Sequence, residues 1–174
     1  MQLTREEIIN ELSKEYFDFL MALRLKFNNP LFIKGIGEGK RKFLSNLHIH
    51  LATRGLPRKS KLYSTDFITP SALLKVKNKQ LKGLHYEHVI PKSGYIHEPC
   101  EQELLNGTLT IEFIKDLLNC FLWTATVTED EHTLLDTYAM PKSWDRKNIM
   151  ARYENVGIQL LPHDKSYLQS VRLK

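Results

Sequence analysis

The chain of 174 residues contains no run of apolar side chains near the roughly 20 needed to cross a bilayer as a helix. That argues against a membrane partner. It holds only two cysteines, Cys100 and Cys120, and no CxxC pair. Two cysteines cannot build a cysteine zinc site without several histidine partners, and without an export signal they are expected to be reduced thiols rather than a disulfide. Internal repeats and low-complexity linkers are also lacking. The opening MQLTREEIINELSKEYF is charged and amphipathic with acids in its first turn, whereas a signal peptide starts basic and continues apolar. A cytoplasmic protein is therefore expected. Hydrophobic residues at 42% and charged residues at 26% fit an ordinary globular core rather than a disordered chain.

Acidic residues are scarce in one long segment. Residues 1–18 carry two basic and five acidic side chains, and residues 84–174 carry nine and thirteen. Residues 19–83 carry fourteen Lys and Arg against Glu38 and Asp66 alone, a net of +12 within a chain whose overall charge is +5. Such a block repels itself unless something anionic lies on it. Polyphosphate is the common solution, because each neutralised phosphate releases condensed counterions. Nucleic acid is the expected partner, DNA ahead of RNA, and a homodimer is left open. The competing readings are a solvated basic surface and a face for an acidic protein.

Periodicity gives the organisation. Residues 4–27 read as a helix capped by Thr4, with Glu7 completing a capping box. Asn28-Asn29-Pro30 should stop it. Gly35, Gly37 and Gly39 suggest a tight turn before a helix over 40–53 that ends at Gly55. The segment KGIGEGKRKFL resembles the turn of helix-hairpin-helix modules, which would offer backbone N–H groups to a phosphate flanked by Lys40, Arg41 and Lys42. A glycine turn between two core helices is the plainer alternative. Residues 57–63 form a basic loop containing Arg58 and Lys59, and Thr69-Pro70 can open a helix reaching about Leu81. Beyond Gly83 the pattern gives a strand over 84–91, a helix over 108–119 and a strand over 121–127. A second capping box, Thr128 with Glu131, starts a helix that ends before Pro141. A helix over 146–155 and a strand over 158–161 complete the reading. The expected fold is α+β. Residues 1–83 form a helical, basic nucleic-acid-binding region and 84–174 a small catalytic region, together one compact domain.

The chemistry concentrates in HYEHVIPKS. Neighbouring residues of a strand point to opposite faces, so adjacent side chains can hold a metal and face a substrate respectively. Glu87-His88-Val89-Ile90-Pro91 resembles the signature of the HNH, or ββα-metal (His-Me finger), nucleases: an acid or histidine, then His, two apolar residues and Pro. The likeness covers residues 84–93 well and 121–137 loosely. It implies that His88 is the general base and that Glu87 ligates a divalent metal ion, typically Mg²⁺. The second metal ligand would be His132 on the helix after the second strand, with Glu131 as the alternative. Lys40, Arg41, Lys42, Arg58 and Lys59 would grip the nucleic-acid backbone, and Arg152 is a further candidate to reach a phosphate. The sequence departs from the family in the roughly thirty residues between its strands and in lacking a clear bracing asparagine, for which Asn106 and Asn119 are candidates. The implied activity is endonucleolytic phosphodiester hydrolysis, in a restriction, phage-defence, mobile-element or toxin setting. The alternative is a non-catalytic binding or regulatory protein whose histidines are half-buried polar residues.

Overall fold

The computed structural model describes residues 1–168. Its class is α+β, with a helical N-terminal half and a small mixed sheet. Among the described residues no helix is long and apolar enough to cross a membrane. The chain divides into two compact units, each discontinuous in sequence: Leu3–Ala52 with Lys92–Leu122, and Met1–Gln2 with Thr53–Pro91 and Trp123 onward. The seams fall at 2/3, 52/53, 91/92 and 122/123, not at the 83/84 boundary suggested by charge and periodicity.

The first unit is helical. Helix α1 (Arg5–Leu23) begins as the capping box requires. The Thr4 hydroxyl accepts from the Glu7 N–H at 3.2 Å, and the Glu7 carboxylate accepts from the Thr4 N–H at 2.7 Å. Its apolar stripe buries Ile8, Ile9, Leu12, Tyr16 and Leu20. Asn29 then caps helix α2 (Pro30–Ala52), its side-chain oxygen accepting from the N–H groups of Leu31 and Phe32. Here the structure corrects the sequence. Gly35, Gly37 and Gly39 make no turn; none has a positive φ, and α2 runs through all three without a break. The hairpin expected to present N–H groups to a phosphate is therefore absent. Glycine inside a helix costs about 1 kcal/mol relative to alanine, and α2 absorbs this because its C-terminal half buries Leu44, His48 and Leu51 in the core.

Two elements of this unit escape periodicity. A π-helical turn, Ser93–His97, runs directly into helix α4 (Glu98–Asn106), which Gly107 closes in the left-handed conformation (φ 77°). Helix α5 (Ile111–Phe121) is capped by the Thr110 hydroxyl, and its Ile114 and Leu118 complete the core shared with α1 and α2.

The second unit holds the sheet, in the order β2-β3-β1-β4. Strand β1 (Phe67–Ile68) pairs parallel with β3 (Thr124–Thr128), and β2 (Leu84–His88) pairs antiparallel with β3 at the sheet edge. Strand β4 (Leu161–Pro162) flanks β1. Helix α3 (Pro70–Lys77) starts at the Thr69 cap with Pro70 in its first turn, as expected, but stops earlier, at Asn78 and the left-handed Lys79. Helix α6 (Glu129–Leu134) follows β3 directly, and α7 (Ala151–Glu154) is all that forms of the helix expected over 146–155. Local side-chain bonding explains the loss. The Asp145 carboxylate accepts from the N–H groups of Lys147 and Asn148, and Asn148 accepts from Met150 N–H, so these amides are satisfied outside a helix.

Gly37 has a helical backbone and open space where the methyl group of an alanine would stand, so Gly37→Ala is a stabilising change. It should raise the unfolding free energy by about 0.5–1 kcal/mol in a urea titration. A loss of stability would instead indicate a turn at this position.

Candidate functional site

Strands β2 and β3 with helix α6 form a strand–strand–helix unit around the residues singled out by sequence. Cross-strand pairs share a face of the sheet. His85 lies opposite Val127 and Glu87 opposite Ala125, so these two side chains are on one face; Tyr86 and His88, opposite Thr126 and Thr124, are on the other. Thr128 ends β3 and caps α6, accepting from the Glu131 N–H, while its own N–H donates to Glu131 at 2.8 Å. Glu131 also receives the Thr69 hydroxyl at 2.7 Å. Its carboxylate is thus committed to the cap, and His132 is the α6 side chain that reaches Glu87. His132 Nδ1 approaches Glu87 Oε1 to 3.0 Å, and its ring stacks on His85 with centroids 4.5 Å apart and planes 5° from parallel. His85 Nε2 in turn meets Glu129 Oε2 at 2.5 Å.

Arg152 on α7 ties this arrangement together. Its guanidinium donates through Nη1 to the Asp136 carbonyl at 2.7 Å, and through Nη2 to the His88 carbonyl at 2.7 Å and Glu87 Oε2 at 3.2 Å. The Arg152 side chain is 4% exposed and that of Glu87 15%. Arg152 is therefore a buried partner of the carboxylate and not a hand held out to a phosphate. The two carboxylate oxygens are inequivalent: Oε2 faces a buried cation, and Oε1 faces an imidazole nitrogen.

Whether these residues suit a divalent cation turns on His132 Nδ1. It is buried and lies at ion-pair distance from Oε1, 3.0 Å, without the alignment of a hydrogen bond. The separation is that of a His–Glu ion pair and equally that of adjacent ligands of an octahedral ion, which at bond lengths of about 2.1 Å stand about 3.0 Å from each other. The pair fits. Among the described residues no group of three or more His, Cys, Asp or Glu side chains gathers around one point. With one carboxylate oxygen and one imidazole nitrogen, the remaining positions of an octahedral ion would go to water and phosphate oxygens.

His88 does not join this group. Its ring stands edge-on to Tyr86, 5.2 Å between centroids, on the opposite sheet face. The apolar part of the motif is structural: Val89, Ile90 and Pro91 are buried, and Val89 N–H donates to the Trp123 carbonyl at 2.8 Å. On that same face Asp66 accepts from both the N–H and the hydroxyl of Thr124, and His163 bridges Thr65 and Tyr167 at 2.8 Å on each side.

The basic residues are unequally available. Lys40 is held by Glu101 at 2.6 Å and lies over the Phe27 ring, so it is not a free phosphate grip. Lys42 pairs with Glu38 one turn away, an exposed contact of small energetic weight. Arg41 is exposed, as are Arg58 and Lys59 in the loop of the other unit. Lys92, to which the sequence reading assigns nothing, donates to the Arg41 carbonyl and to the Ser45 hydroxyl, and burial pushes its ammonium down to about 8. Asn106 and Asn119 both belong to the helical unit. Arg152, His85 and Glu129 are neighbours of Glu87 and His132 that the sequence does not assign to this site. Only His85 carries a signal, its i, i+2 spacing from Glu87 on a strand.

Buried imidazoles give the molecule an acid-sensitive stability. Burial, aided by the charges of Lys92, Lys40 and Arg41, pushes His97 down to about 3, and burial pushes His163 down to about 4. Above about pH 6.5 both are neutral whether folded or unfolded, so the full stability is present. As pH falls from there towards these folded values, only the unfolded chain takes up the protons. Stability should fall by up to about 1.4 kcal/mol per pH unit for each imidazole. Urea titrations at pH 7, 6 and 5 should show this, with a shallower dependence in His163→Gln; an identical slope in the variant would clear His163 of any part in it.

Compared with known proteins, the chain matches no family model, no curated protein and no solved structure.

Proposed function

We propose that the protein is a metal-dependent nuclease that hydrolyses phosphodiester bonds in nucleic acid, DNA in preference to RNA. One observation carries the reading: Glu87 Oε1 and His132 Nδ1, from the strand and the helix of a strand–strand–helix unit, stand 3.0 Å apart with the nitrogen buried and without the alignment of a hydrogen bond. The setting supports it, since residues 19–83 of the same chain carry a net charge of +12.

A divalent cation, Mg²⁺ by preference, would supply charge stabilisation at the scissile phosphate and the leaving oxygen. Glu87 and His132 bind it. Arg152 fixes the Glu87 carboxylate, and His85, packed flat on His132, limits rotation of that ring. The general base in this reading is an imidazole of β2 that takes a proton from the attacking water: His88, as the motif implies, or His85, which shares the sheet face of Glu87 and stacks on His132. Arg41, Arg58 and Lys59 neutralise backbone phosphates, with Lys42 and Lys40 contributing where nucleic acid competes with their carboxylate partners.

A second reading draws on a specific observation. His88 lies on the sheet face opposite Glu87, and Glu87 already has Arg152 as an ion-pair partner. Both facts suit a binding protein that uses the same basic residues without catalysis.

Incubation with plasmid and Mg²⁺ or Mn²⁺, with and without EDTA, separates the two. A nuclease should cut only with metal. Glu87→Gln, His132→Ala and His88→Ala should each lower the rate by about 10²–10⁴-fold while leaving binding in place. Binding should weaken steeply with log salt, and the slope should shrink by about one unit in Arg58→Ala. If His85→Ala stops cutting and His88→Ala does not, the base is His85 and hydrolysis stands. Binding without metal-dependent cleavage by the wild-type protein leaves the binder.

A further inference from the structure

We propose that Arg152 is a positioning residue that restricts Glu87 to a single ligating oxygen and thereby sets which cation the site accepts. The inference rests on the reading that Glu87 and His132 bind a divalent cation.

Arg152 is anchored independently of Glu87. Its Nη1 is bound to the Asp136 carbonyl and its Nη2 to the His88 carbonyl, both at 2.7 Å, whereas the contact to Glu87 Oε2 is longer at 3.2 Å. The two short bonds go to main-chain oxygens, which neither titrate nor change rotamer. The guanidinium is therefore held whether or not Glu87 is engaged elsewhere, and with 4% of its side chain exposed it has no route to solvent. Entry of a cation beside Oε1 and His132 Nδ1 would not displace it. Oε2 stays committed, and Glu87 can offer Oε1 alone.

That restriction discriminates between ions. Ca²⁺ takes six to eight oxygens and commonly uses both oxygens of a carboxylate, while Mg²⁺ and ions of similar size hold six ligands, one atom from each. An imidazole nitrogen in the set is a further mismatch for Ca²⁺, which takes oxygen ligands. The bond from Nη2 to the His88 carbonyl has a further effect: it holds the backbone next to Glu87, and with it the direction in which the carboxylate leaves the strand.

The test is cation binding to the whole protein without nucleic acid, by calorimetric titration of Mn²⁺ and Ca²⁺ into wild type, Glu87→Gln, Arg152→Met and Arg152→Lys. Wild type should bind Mn²⁺ at least tenfold more tightly than Ca²⁺, and Glu87→Gln should lose Mn²⁺ binding. Arg152→Met, checked for a cooperative melt, should narrow the preference at least tenfold, mainly through tighter Ca²⁺ binding as Oε2 becomes free. Arg152→Lys keeps the charge but cannot span two carbonyls and a carboxylate, so it should narrow the preference severalfold, and it decides the matter if the methionine variant does not fold. A ratio within twofold of wild type in the folded Arg152 variants, or wild-type Ca²⁺ binding as tight as Mn²⁺, overturns the proposal. Mn²⁺ binding unaffected by Glu87→Gln removes the cation site and this inference with it. Selectivity that behaves as stated in a protein that leaves plasmid intact removes the nuclease reading and keeps the role of Arg152.

Discussion

Antiparallel pairing sets His85 against Val127 and Glu87 against Ala125, and every contact of the candidate site follows from that register. The side-chain period of a strand is two, so a slip of one residue would carry Glu87 to the face of Thr124 and Thr126, away from His132. The register is held from both ends. The Glu129 N–H donates to the Gly83 carbonyl at 2.9 Å where β2 begins and β3 ends, and the Val89 N–H donates to the Trp123 carbonyl at the other end. Residue type reinforces it: β3 is buried on both faces, with apolar Ala125 and Val127 on the face shared with His85 and Glu87, and Thr124 and Thr126 hydrogen-bonded on the other. The half-buried carboxylate is thus placed by an apolar pattern, with polar partners added around it.

Those partners explain how the fold tolerates the charge. A carboxylate withdrawn from water needs a counter-charge and hydrogen bonds, and removing one partner of such a pair is more damaging than the pair is stabilising. Arg152 meets that need and has its own guanidinium anchored on main-chain carbonyls. His132 is different. Its Nδ1 is buried at ion-pair distance from a carboxylate oxygen, without the alignment of a hydrogen bond.

The parts of this architecture that are legible in the sequence are those fixed by local chemistry. Thr4 with Glu7, Thr128 with Glu131, and Thr69 before Pro70 each announce a helix start through atoms within three residues, and all three starts are found there. The strands β2 and β3 are likewise readable from their residue types. What fails depends on distant packing or on competition between local bonds. Three glycines read as a turn because the burial of Leu44, His48 and Leu51, which holds the rest of α2 in place, is a tertiary fact. Residues 146–155 read as a helix because their periodicity is helical, yet Asp145 and Asn148 take the amides first. Arg152 could not be foreseen as the partner of Glu87, since 65 residues separate them and nothing in the composition links the two.

The same distinction bears on how the two kinds of candidate residue are distributed. Attraction of a polyanion to lysines and arginines acts over about a Debye length, roughly 8 Å at physiological salt, and tolerates mobile side chains. Cation ligation tolerates errors of only about 0.2 Å. Residues with the loose requirement are accordingly scattered, Lys40, Arg41 and Lys42 in the helical unit and Arg58 and Lys59 in a loop of the other. Residues with the tight requirement, Glu87 and His132, lie together in one unit, on a strand and a helix locked by a capping box and a buried guanidinium. Precision is concentrated where short-range chemistry would need it, and the charge is spread where only long-range attraction is asked for. Net charge and the 3.0 Å approach of two side chains are thus different kinds of constraint, one spread along the chain and one fixed by strand register and helix cap.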